Sequence, residues 1–161
     1  MTITYQAQVH TWLKGHTDAC AFINTLFDVA HVLDDLTDRD KPVQTKTVQA
    51  AFYSMLIDLP RNPFYVQHFM LLNGALQTAF LNWQIANALE VKEDDAGKDV
   101  AFILRSSYAD LVTLCAWIIG GYDWAVQVGQ EVRLHASNEG KAQYLASLKN
   151  EKRSDMMVGG A

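Results

Sequence analysis

Apolar residues along this chain recur at steps of three and four rather than two, the mark of helices that bury one face. The clearest run is Phe22, Leu26, Val29, Leu33 and Leu36, with Ile23, Phe27 and Ala30 widening the same side. It predicts a helix over 18–38, with Thr17 as N-cap because its hydroxyl can accept from a free first-turn amide. Residues 3–14 read as a short helix or an extended arm. Asp40-Lys41-Pro42 breaks the chain, and a helix over 43–58 ends before Pro60. Asn62-Pro63 is a start signal, a capping residue followed by proline at the first helical position. The helix it opens runs to Glu90, about 40 Å at 1.5 Å per residue. Residues 92–98 form a charged turn, 99–119 a helix stopped by Gly120-Gly121, and 122–136 and 139–150 two shorter amphipathic helices.

The expected fold class is therefore all-α, a single-domain antiparallel bundle of five to six helices over residues 1–152. Residues 153–161 read as a flexible tail, since Met156–Ala161 has no periodicity. Residues 62–89 contain no Asp, Glu, Lys or Arg, which predicts that this helix lies at the centre of the bundle. Asn73, Gln77, Gln84 and Asn87 form a partial amide stripe along it. Such amides need partners, either in a hydrogen-bonded core network or as the wall of a ligand site.

Composition narrows the classes. Of 161 residues, 50% are apolar and 19% charged, which suits one folded domain and excludes a disordered chain. A net charge of −5 argues against general nucleic-acid binding, which needs a basic face for phosphates. Two cysteines exclude a disulfide scaffold and suit a reducing, cytoplasmic setting, with Cys20 and Cys115 expected to be inert core thiols. Met1–Gln6 has neither a basic region nor an apolar run, so no secretory signal is expected. No membrane span is expected either: amides interrupt 62–89, and 111–122 is too short.

The strongest chemical signal is acidic. On a helical projection Asn24, Asp28, His31, Asp35 and Asp38 share a stripe opposite the apolar face, with Asp34 at its border. No Lys or Arg lies between Lys14 and Arg39, yet that interval holds five aspartates. Carboxylates one turn apart repel by roughly 1 kcal/mol in water and more in a groove. The negative end of the helix dipole adds about 0.3–1 kcal/mol per charge. A divalent cation would turn that repulsion into coordination, with Asp34 and Asp38 sharing the ion and Asp35 supporting it. A solvated face, neutralised locally by Arg39 and Lys41, is the other reading.

Asp34-Asp35-Leu36-Thr37-Asp38 resembles the aspartate-rich Asp-Asp-x-x-Asp motif of class I isoprenoid synthases. Those are all-α enzymes that hold a prenyl diphosphate through Mg²⁺. The resemblance implies Asp34 and Asp38 as metal ligands. Asn82, Ala86 and Glu90 resemble the spacing of that family's second motif, with alanine in place of a hydroxyl ligand. The wider string, Val29-Ala30-His31-x-x-Asp34-Asp35-Leu36-x-Asp38-x-Asp40-Lys41-Pro42, resembles a family of small, functionally uncharacterised tailed-bacteriophage proteins. It implies a viral origin.

Two functions follow as expectations. The first is a phage-encoded accessory protein that binds a host or virion protein, with homo-oligomerisation open. The second is a Mg²⁺- or Mn²⁺-dependent enzyme acting on a diphosphate or other phosphorylated substrate. Its metal would sit on Asp34, Asp35 and Asp38, and His31, Asn82, Gln84, Asn87 and Glu90 would line its second shell or pocket. No other cofactor is implied. Asp28-x-x-His31 with Glu131 and His135 lacks the spacing of a di-iron bundle, and the five histidines offer no close pair on one helix. Trp117, Tyr122 and Trp124 around Gly120-Gly121 suit core packing or a partner surface. Asp123, Gln127, Glu131 and His135 read as a solvent stripe.

Overall fold

The computed structural model describes residues 5–92, 94–137 and 140–149. Every regular element among them is helical: nine α-helical segments and one π-helical turn, arranged as an all-α bundle. The tail at 153–161 and the outer ends of the first and last expected helices lie outside the described residues.

Helix α1 (Tyr5–Trp12) is joined to α2 (Thr17–Asp38) by a turn with positive φ at Lys14 and Gly15. The cap of α2 is His16, not Thr17: its Nδ1 accepts from the Ala19 amide at 3.3 Å. Arg39, in the left-handed region, closes the helix by donating its N–H to the Asp35 carbonyl. Helix α3 (Thr45–Tyr53) continues into a π turn (Ser54–Asp58) and then α4 (Leu59–Arg61). The expected stop before Pro60 is thus overridden. Pro60 has no amide to give to the Leu56 carbonyl, and the wider turn before it lets the helical path continue.

Helix α5 (Pro63–Gln67) starts as expected. Asn62 Oδ1 accepts from the Tyr65 amide at 2.9 Å, while its Nδ2 donates to the Asp18 carbonyl at 2.8 Å, tying α5 to α2. The single long helix expected from here is broken at His68, where φ −111° and ψ 23° leave the helical region. Helix α6 (Phe69–Glu90) follows, then α7 (Asp95–Leu104), capped by Asp94 and folded back on α6. Helix α8 (Tyr108–Ala136) reverses at Gly121, whose φ of 80° and ψ of −171° only glycine adopts without strain. Its two arms then run antiparallel, since Arg133 pairs with Asp110 and Gly129 faces Thr113. A Cβ on Gly129 would meet the Thr113 side chain at 3.3 Å, so the arms approach closely where glycine allows it. Helix α9 (Lys141–Leu148) packs on α7.

The core lies between α1, the first half of α2, α5, the start of α6 and both arms of α8. Val9, Leu13, Phe22, Leu72, Val112, Cys115, Val128 and Val132 are fully buried there. The α8 hairpin is therefore the centre, and the expectation that the uncharged helix holds that place is corrected. Helix α6 buries Leu72, Ala86, Asn87 and Glu90, but exposes Phe69, Met70, Leu71, Phe80, Leu81 and Ile85, with Met70 86% exposed. Absence of charge predicts burial on all sides only if enough neighbours exist to supply it. Trp117, Tyr122, Val126 and Leu134 on the α8 hairpin are exposed as well. The stretch Asp95–Ala136 includes a window long and apolar enough to cross a membrane by length and composition, with 33% of that window buried.

Candidate functional site

The acidic end of α2 meets a cation from far along the chain. Arg105, just beyond α7, reaches Asp34 Oδ1 through Nη1 at 2.7 Å. Its Nε and Nη2 donate to the two oxygens of Glu90, both at 2.6 Å, a bidentate pair. Nη2 also donates to Asn87 Oδ1 at 2.9 Å. Trp83 Nε1 donates to the same Asp34 oxygen at 3.1 Å, and the Tyr144 hydroxyl donates to Glu90. Trp83, Asn87 and Glu90 recur at four and three on α6, which puts all three on the face turned to α2 and α9. Glu90 has a side chain only 1% exposed. Burial would push the Arg105 guanidinium down, but Glu90, first through hydrogen bonds and then through charge, with Asp34 and Asp38, holds it above the ordinary arginine range.

This arrangement reapportions the sequence-predicted residues. Asp34 and Asp38 face the Arg105 charge, and Asp38 is buried. Asp35 is elsewhere, paired with Lys41 at 2.9 Å. Asp34, Asp35 and Asp38 do not converge into a donor set for Mg²⁺ or Mn²⁺: one shared oxygen already serves two donors, and the guanidinium beside it would repel a second cation. Among the described residues no group of three or more His, Cys, Asp or Glu side chains is placed to hold a metal. His31 is exposed, donating Nδ1–H to the Phe27 carbonyl at 2.8 Å. Asn82 donates to the Ser107 hydroxyl at 3.0 Å. Asn87 is wholly buried, and its Nδ2 has no hydrogen-bond partner among the described residues. Gln84 is half-buried and makes no side-chain hydrogen bond among the described residues. Of the predicted amide stripe only Asn87 is in the core; Asn73 is exposed and accepts from the Tyr65 hydroxyl at 2.9 Å, and Gln77 is exposed.

Beside the cluster lies a cavity of about 480 Å³. Val29, Leu33 and Leu26 of the α2 apolar stripe line it, so that face borders a chamber where the sequence predicts tight packing, and Leu36 beyond it is exposed. Aromatic side chains make much of the wall. Tyr5 stacks on Phe27 at 4.2 Å between ring centroids, and Phe27 meets Tyr108 edge-on at 5.9 Å. The buried Tyr5 hydroxyl has no hydrogen-bond partner among the described residues, and burial, then the Tyr108 hydroxyl, push its ionisation far up.

A second, shallower depression of about 910 Å³ runs between α6 and the α8 arms. Ala75, Leu114, Ala125 and Gly129 give it small or apolar walls, Trp117, Tyr122, Val126 and Leu134 add exposed apolar bulk, and the Asp110–Arg133 pair stands at it.

Compared with family models, curated proteins and solved structures, the chain gives no match.

Proposed function

We propose that this is a phage-encoded accessory protein that acts by binding a protein partner, an amphipathic helix of a host or virion protein seated in the α6–α8 groove. The observation that carries this reading is the exposed apolar side chains of Trp117, Tyr122, Val126 and Leu134 beside a groove floored by Ala75, Ala125 and Gly129. Contiguous apolar surface is costly in water and marks a surface that is covered in use. Small floor residues let a helix backbone approach, large flanking ones grip its apolar face, and Asp110, Arg133 and Gln130 offer polar contacts for register. The phage assignment rests on the resemblance of the acidic string. The neutralisation of Asp34 by Arg105 favours binding over phosphoryl chemistry, because the acids that would hold a metal already have a cation.

The test places a photo-crosslinking side chain at Val126, with the exposed Gln49 of α3 as control, in host cells making the protein. The expected result is one dominant adduct from position 126, absent from position 49. Binding to that purified partner should weaken at least tenfold in Val126→Asp, with the helical circular dichroism retained. Adducts only with a second copy of the chain, only with lipid, or equally from both positions would overturn the reading.

A further inference from the structure

Helix α6 turns an uncharged face to water. On a helical projection of about 100° per residue, Met70, Gly74, Gln77, Leu81, Gln84 and Ala88 form one seam down that face, at alternating steps of four and three. Leu72, Ala86 and Glu90 lie on the opposite, buried side. We propose that the seam is an interface with a second copy of this chain, the two α6 helices packed antiparallel about a two-fold axis. The inference does not depend on the partner reading, because among the residues lining the α6–α8 groove α6 supplies only Ala75, which falls well off the seam.

Area, charge and shape select this occupant. Phe69, Met70, Leu71, Phe80, Leu81 and Ile85, with the small and amide positions between them, present on the order of 800 Å² per copy, one side of a standard stable interface. Each copy carries a net charge of −5, so two copies repel wherever acids face acids. Residues 62–89 hold no charge, and contact along α6 avoids that cost. The seam is also its own complement under two-fold symmetry. An antiparallel copy centred on it sets Met70 opposite Ala88, Gly74 opposite Gln84 and Gln77 opposite Leu81, long against short in the outer two layers. A Cβ on Gly74 would meet nothing within 4 Å, so the space that an opposing Gln84 needs is open. A bilayer suits the face less well. It offers no Lys or Arg to headgroups, and Gln77 would have to leave water for hydrocarbon.

Sedimentation equilibrium of the full chain should give a dimer. Leu81→Glu puts a charge on the exposed seam of both copies and should weaken dimerisation at least tenfold, with the helical circular dichroism retained. Leu134→Glu, in the groove, should leave the dimer unchanged. Oxidation of mixed Met70→Cys and Ala88→Cys chains should join unlike chains, while neither variant alone joins to itself; the unsubstituted chain is the blank for Cys20. A monomer at millimolar concentration, a dimer indifferent to Leu81→Glu, a dimer dispersed by Leu134→Glu, or like-with-like disulfides at position 70 or 88 would overturn the proposal. So would flotation of the chain with phosphatidylcholine vesicles that Leu81→Glu abolishes.

Discussion

Glu90 is the side chain with most to lose from a single change. It is sealed from water and shares its oxygens between Arg105 and the Tyr144 hydroxyl. Taking away the guanidinium removes the bidentate partner of a carboxylate whose side chain is only 1% exposed. Arg105→Met should therefore lose about 3–5 kcal/mol in urea unfolding. Arg105→Lys should recover only part, because a single ammonium cannot reproduce the two-pronged contact. A loss below about 1 kcal/mol would show that the cluster contributes little. The acid half of this network was legible in the sequence: five aspartates fall in an interval without Lys or Arg, a pattern that suits either a bound cation or a solvated face. What compensates them was not legible. Asp34 and Arg105 stand 71 positions apart, and the local candidates, Arg39 and Lys41, leave Asp34 to the distant arginine. The only signal was that Trp83, Asn87 and Glu90 share a face, which placed the amides and the glutamate but gave no hint of a cation opposite them.

Helix boundaries followed the chain's punctuation wherever that punctuation acts locally. Asn62-Pro63 and Gly120-Gly121 were readable because a cap and a positive-φ turn depend on the residues that form them. Asn62→Ala should cost about 1–2 kcal/mol, since it removes both the cap on α5 and the tie to the Asp18 carbonyl. Asn62→Asp should keep the cap and lose only the tie, a smaller drop in the same unfolding measurement. The break at His68 and the helical path past Pro60 were not readable, because each depends on what the flanking helices pack against. His68 lies against Phe64 at 5.0 Å. Periodicity likewise gave the α2 face but not its surroundings. The same stripe that packs at Phe22 opens onto a chamber at Val29 and Leu33.

At the scale of the whole molecule, stability should fall in alkali for a reason located in the core. Burial, then the neighbouring Cys20, push the Cys115 thiol from near 9.0 up to about 12. The unfolded chain therefore gives up this proton at a pH where the folded chain keeps it. Stability is whole below pH 9 and declines as pH rises toward 12, by about 1.4 kcal/mol per unit from this group. Burial raises Tyr5 and Tyr108 too, and they add to the decline above pH 10. Urea unfolding at pH 8 and pH 10.5 should show the loss, and Cys115→Ala should shrink it; an unchanged slope in that variant would place the effect elsewhere. Fold class was legible at this scale, because steps of three and four leave no other architecture. The identity of the central helix was not. Lack of charge describes a helix, whereas centrality depends on how many others surround it, and here the α8 hairpin takes that place.

Tyr144 joins two structures that otherwise have separate owners. Its ring lies against Phe102 and forms part of the chamber wall, and its hydroxyl completes the shell around Glu90. Both depend on the short helix α9, whose pairing of Lys141 with Asp99 is exposed to water and to salt. Displacing α9 would therefore take a wall from the chamber and a hydrogen bond from Glu90 together, so the room's shape and the hidden acid's surroundings answer to one short element.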